Sequence, residues 1–426
     1  MKQFILSGVL LFLLSSCDLW ENTKVTDPQD YNAYLETGPS ETSSKYFRLW
    51  NSKIKPDSLQ LTSFGIVAGQ YNSFFQATGE ITYLKKAETA LKKAVDIAAI
   101  GKSGYLRALA RNYISQHRFK EALQLALEAR KLGSGVLESQ YLLFDIYMEL
   151  GEFNKAEQYL DSTRNMSAFG SLIRLAKWND HKGNLDSTIR LMEKAAKKAE
   201  QAANRSTMLW SYTNLADYYG HAGRIGDSYQ YYLKALALDP QNAYAKKGIA
   251  WIAYSHEGET KEAMRILESI DAHYQSPDLY LLKAEIAEYS GDTTEYIKSM
   301  DAFFKMSENP LYGEMYNAYK IEMYLNSTLQ YDKAVALSLR DVKNRPTPPA
   351  YALLAYSYFK AGEKDTAYKL VEEHVLGKSE EPLVLLQLAE IYKDRGDLAR
   401  VKRIRNSLEE AAFELGPLTR IRVDAL

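Results

Sequence analysis

Residues 210–242 read WSYTNLADYYGHAGRIGDSYQYYLKALALDPQN. Leu215, Ala216 and Tyr219 fall at the spacing that gathers side chains on one face of a helix. Gly223 interrupts, then Tyr232, Ala235 and Leu236 resume the spacing, and Asp239-Pro240 closes the segment. The stretch is a helix, a tight turn and a second helix. Glycine suits that turn because reversing the chain there requires a left-handed backbone, which costs other residues about 1 to 2 kcal/mol.

The same hairpin recurs along the chain. The residue that opens the second helix is Ser228 here, and its counterparts are Ala87, Ala122, Ala156, Thr188, Ala263, Tyr296, Ala334, Ala367 and Val401. Successive gaps are 35, 34, 32, 40, 35, 33, 38, 33 and 34 residues. Other positions hold register with these anchors, so the period does not rest on abundant alanine. Nine residues earlier stand Tyr113, Tyr147, Tyr219, Tyr254, Tyr358 and Tyr392; five earlier stand Gly151, Gly183, Gly223, Gly258, Gly291, Gly362 and Gly396. Twelve earlier come Ala110, Ala176, Ala216, Ala284, Ala355 and Ala389. From about Ser58 onward no alternation of a strand interrupts the helical period, so the expected class is all-α.

A Tyr late in the first helix, Gly in the turn and Ala in both helices resemble the tetratricopeptide repeat family, and residues 210–242 carry the resemblance best. It covers roughly residues 58–412 and implies about ten helix-turn-helix units, stacked into a right-handed superhelical solenoid with first helices lining a concave groove. One unit cannot bury its apolar face alone; stacked neighbours can. Several positions depart from the pattern. Phe144 and Trp251 replace the small residue of the first helix, His117 replaces the turn glycine, and Tyr296 is large at the anchor. The long gaps contain residues 197–204 and the Asn326-Ser327-Thr328 insertion, and a bend is expected near 304–312. The last array helix, about 398–412, reads as a solvated cap, followed by a tail over 413–426.

Composition narrows the function. Of 426 residues, 53 are basic and 54 acidic, for a formal net charge of -1, which gives no basic face with which to displace counterions from a nucleic acid. One cysteine precludes an intramolecular disulfide or a cysteine zinc cluster, and the six histidines are scattered, so no metal or other cofactor is expected. Phosphate-binding loops, nucleophile elbows and calcium loops are absent from the sequence.

The first residues read as an address. Lys2 precedes an apolar run from Phe4 to Leu14, too short for a membrane span, which needs roughly 20 residues. Leu14-Ser15-Ser16-Cys17 then resembles the lipobox of bacterial lipoproteins. That resemblance implies a signal peptide over 1–16, lipidation of Cys17, and a lipid-anchored protein of the bacterial cell envelope, in the outer membrane, facing the periplasm or the surface. Residues 17–57 are mostly polar and read as a tether, with a short helix around Tyr31 to Leu35.

Carrying the family register over puts Arg107, Arg111, Tyr141, Asp145, Ile173 and Lys177 on the groove, followed by Trp210, Thr213 and Asp217. Leu281, Glu285, Glu288, Tyr356 and Phe359 follow, so the surface runs from basic to acidic. Such a surface suits an extended peptide or helix. The expected function is a membrane-anchored scaffold or adaptor without catalysis, which binds another envelope protein through its groove. Two rivals share parts of the pattern. SusD-type lipoproteins capture glycans with similar helices but insert long loops between them. Helical toroid hydrolases use paired acids, for which Glu285 and Glu288 are the candidates here.

Overall fold

The structure is a computed structural model and describes residues 24–426 apart from 37, 39, 56 and 58. Cys17 and the signal sequence lie outside the described residues. Within them the fold is all-α, with no strand. Ten antiparallel hairpins follow one another, the first Leu61–Thr78 with Ile81–Ile97 and the last Pro382–Asp394 with Leu398–Glu410.

The anchors sit where the two helices of a hairpin touch. Ala87, Ala122, Ala156, Thr188, Ala263, Ala334 and Ala367 are completely buried, and Ser228 and Val401 nearly so. Small side chains let the backbones approach, while Leu and Tyr fill the space between neighbouring hairpins. Tyr296 alone among the ten anchors is only half-buried. All seven turn glycines have positive φ, and His117 takes up the same conformation at φ 55°. Its ring stacks on Phe119 at 5.3 Å. Ala203 at φ 47° follows the longer second helix of one irregular repeat, and Leu329 at φ 53° stands in the turn inside the other, at the place of the turn glycine.

The superhelix is wound so tightly that one turn rests on the next. The Gln275 amide donates to the Thr78 carbonyl at 2.8 Å. Lys120 Nζ donates to Lys343 O at 2.6 Å and Asn344 Nδ2 to His117 O at 2.9 Å, across 223 and 227 residues. Residues expected to bend the array serve the same contact: Tyr312, in the single turn Pro310–Tyr312, packs on Ile81 and Leu84 of the first hairpin.

The described residues are packed at both of their ends. Pro28–Leu35 is the short helix anticipated from sequence, but the segment around it is no free tether. Tyr31 is wholly buried against the middle hairpins and donates to Glu262, while the Val25 and Thr26 amides donate to Glu257 at 2.7 Å. The expected tail is a helix, Ala412–Asp424, broken at Gly416-Pro417. It covers the supposed cap through Leu408, Leu415 and Val423, because the cap's apolar stripe needs a further layer.

Candidate functional site

First helices line the inside of the coil, and the terminal helix Ala412–Asp424 crosses it. Trp251 Nε1 donates to Phe413 O at 3.1 Å and Ser255 Oγ donates to the same oxygen at 2.7 Å. The helix carrying them ends in a π-helical turn, Ile252–His256, an irregularity that often marks functional positions. The terminal helix lends Glu414 to a polar cavity of about 540 Å³ and residues 418, 419, 421 and 422 to a more apolar one of about 750 Å³.

The N-terminal candidates are mostly engaged with their neighbours. Arg107 donates to Ser134 O at 2.8 Å, and Asp145 pairs with Arg174, whose guanidinium lies 4.4 Å over the Tyr141 ring. Arg174 was missed by the register argument although it governs this cluster. Burial, with Arg174 and Arg107 nearby, holds Arg111 below the usual guanidinium range. Lys177 pairs with Glu149 at 2.9 Å at the wall of the polar cavity. Trp210 is exposed, edge-on to Phe169. Asp217 accepts hydrogen bonds from Tyr232 and Tyr244, which ties adjacent hairpins together; burial raises its pKa.

The acidic candidates converge. Leu281, Glu285, Glu288 and Tyr356 all line the larger cavity, together with Glu322, Glu390, Tyr296, Lys360 and Arg422. Glu285 accepts from Tyr254 OH at 3.4 Å. Burial, with Glu288 adding to it, pushes the Glu285 pKa up to about 7, and burial raises that of Glu288 as well. Glu322 accepts from Gln387 Nε2 at 2.6 Å and Asn326 Nδ2 at 2.7 Å, and its pKa is also raised by burial. The sequence carried a signal for Glu322: it stands twelve residues before Ala334, the place of a small residue in most other hairpins.

Residues 221–286, which include two of the turns described above, match the family model for the tetratricopeptide repeat. Over that segment the chain carries tetratricopeptide repeats. Solved structures similar to it include a tetratricopeptide repeat protein from Parabacteroides merdae, at 17% identity over 58% of this chain and 94% of that one, with a TM-score of 0.39. Yeast Tom70 aligns at 11% identity over 86% and 95%, with a TM-score of 0.36. A human IFIT1 dimer with m7Gppp-AAAA aligns at 16% identity over 81% and 84%, with a TM-score of 0.40. No curated protein is similar enough in sequence to count as a match. The larger cavity is built on the first helices of the last four hairpins, with Tyr296 and Met300 of one second helix and residues 418, 419, 421 and 422 of the terminal helix.

Proposed function

We propose that this chain is a scaffold that holds a segment of another cell-envelope protein in its inner groove and is itself anchored by lipid on Cys17. The observation that carries the reading is the cavity of about 750 Å³ on the inner helices, where apolar side chains and carboxylates converge. A concave site of this size with few placed polar groups is the usual form of a binding pocket.

The packing of Thr26 against Glu257 bears on how the anchor would work. Six residues separate Cys17 from Lys24, a span of about 25 Å at full extension. A lipid there would hold the array close to the bilayer and raise its effective concentration toward partners on the same membrane, so modest affinity suffices.

The test is site-specific photocrosslinking in the native cell. A crosslinker replacing Tyr296 should capture a discrete partner, whereas one replacing the exposed Leu339 on an outer helix should not. Capture from Leu339 alone would refute the groove reading. Cys17→Ala should yield a folded but soluble protein, and its persistence in the membrane fraction would refute the anchor.

A further inference from the structure

Resting on the reading of the groove as a protein-binding surface, we propose that its larger cavity takes a peptide segment in which Lys or Arg is flanked by aliphatic side chains. Three breaks in the repeat register meet at this one place. Tyr296 replaces the small anchor, Glu322 replaces the small residue of a first helix, and the insertion at Asn326-Ser327 leads into Leu329, which stands in a strained left-handed conformation. Elsewhere most departures are absorbed by packing, as Phe144 is, completely buried. Here they open the stack.

The charge inside is one-sided. Five carboxylates line the cavity against two cations, Lys360 and Arg422. Asp278 is already paired with Lys247, and Glu390 with Arg422. Among the described residues no ion pair reaches Glu285, Glu288 or Glu322; the nearest donors to Glu285 and Glu322 are a tyrosine hydroxyl and two neutral amides. Neutral donors satisfy lone pairs but cancel no charge, so wherever these carboxylates are ionised, or are made so by an incoming cation, the partly desolvated cleft favours a cation and rejects an anion. The same carboxylates exclude a bound terminal carboxylate.

The rest of the lining sets the second half of the ligand. Leu281, Met300, Met323, Leu418 and Ile421 present apolar surface beside the carboxylates. Methionine adapts to differently shaped aliphatic partners, so the sequence requirement is for charge and apolar bulk more than for one residue type.

The experiment pans a displayed random dodecapeptide library against the full chain, then measures the enriched peptides by fluorescence anisotropy on wild type and on the Glu285→Gln/Glu288→Gln variant. Both substitutions keep side-chain shape and remove only carboxylate charge, at half-buried Glu285 and exposed Glu288, so the variant should fold; circular dichroism checks this. The expected result is enrichment of peptides with Lys or Arg within two residues of Leu, Ile or Met, whose binding weakens at least about tenfold in the variant. Enriched peptides that are acidic or uncharged, or that bind the variant equally well, would overturn this inference and leave the groove reading standing. An empty selection would overturn it too, with the groove reading then judged by the Tyr296 crosslink.

Discussion

Replacing Gly151 by Ala isolates the contact between successive turns of the coil. Gly151 has φ 68°, so any Cβ there brings the left-handed penalty of about 1 to 2 kcal/mol. A Cβ at Gly151 would also lie 2.6 Å from Pro346 O and 3.3 Å from its carbonyl carbon, on the next turn. A carbon normally stays about 3.3 Å or more from a carbonyl oxygen, so the two turns must part by roughly 0.7 Å. Overpacking of this kind typically costs about 1 to 3 kcal/mol, for a combined loss of about 2 to 5 kcal/mol. Gly223 provides the control: its φ is 69°, but nothing lies within 4 Å of the added Cβ, so Gly223→Ala should cost only the backbone part. Urea unfolding followed by circular dichroism gives the overall loss, and hydrogen exchange at residues 148–152 and 346–350 shows whether it is local, since a repeat array need not unfold in one step. Equal destabilisation by the two variants, within about 0.5 kcal/mol, would show that the turns do not touch in solution.

Further outcomes follow from individual residues. Ala203→Gly should stabilise the protein by about 1 kcal/mol, because Ala203 is exposed and held at φ 47°; a melting temperature at or below wild type would contradict the assigned backbone. Glu285, with a pKa near 7 when folded and an ordinary one when unfolded, retains its proton longer in the native state. Stability should therefore fall as pH rises from about 4.5 to 7, and Glu285→Gln should add about 1 kcal/mol or more at pH 8 but little at pH 4. Glu88 predicts the opposite slope. Bonds from Lys92, Arg118 and Gln116 outweigh its burial and hold its pKa down to about 2, so its stabilisation is present above pH 4.5 and lost as pH falls toward 2, as unfolding of wild type and Glu88→Gln across that range would show. Trp251→Ala removes one donor to Phe413 O and should raise hydrogen exchange over 412–424 while leaving the 102–131 hairpin unaffected; unchanged exchange in the terminal helix would refute the docking.

The hairpins were legible because most of them rest on local chemistry repeated at one spacing: a buried small residue, a tyrosine nine positions before it, and a turn that needs positive φ. Even His117, a break in the glycine pattern, keeps the turn's conformation. The pitch of the coil was not legible. It accumulates from small rotations between hairpins, and no single residue announces that Asn344 will meet His117. The same holds for the first and last described helices. Tyr31 and Phe413 look like ordinary aromatics in polar or short segments, and their partners lie more than 150 residues away. Site residues divide similarly. Glu285 and Tyr356 line one cavity, whereas Asp217 is taken up by Tyr232 of its own hairpin and by Tyr244 of the next, a pairing that only the packing decides.

Contact between successive turns also changes how the molecule responds to force. An open coil of this kind lengthens like a spring through small rotations at every joint, and its inner diameter changes as it does. Here extension must first break the bonds of Gln275 to Thr78 and of Asn344 to His117, and lift Tyr312 off Ile81. The coil is a shut spring, whose bore changes width only once those contacts part.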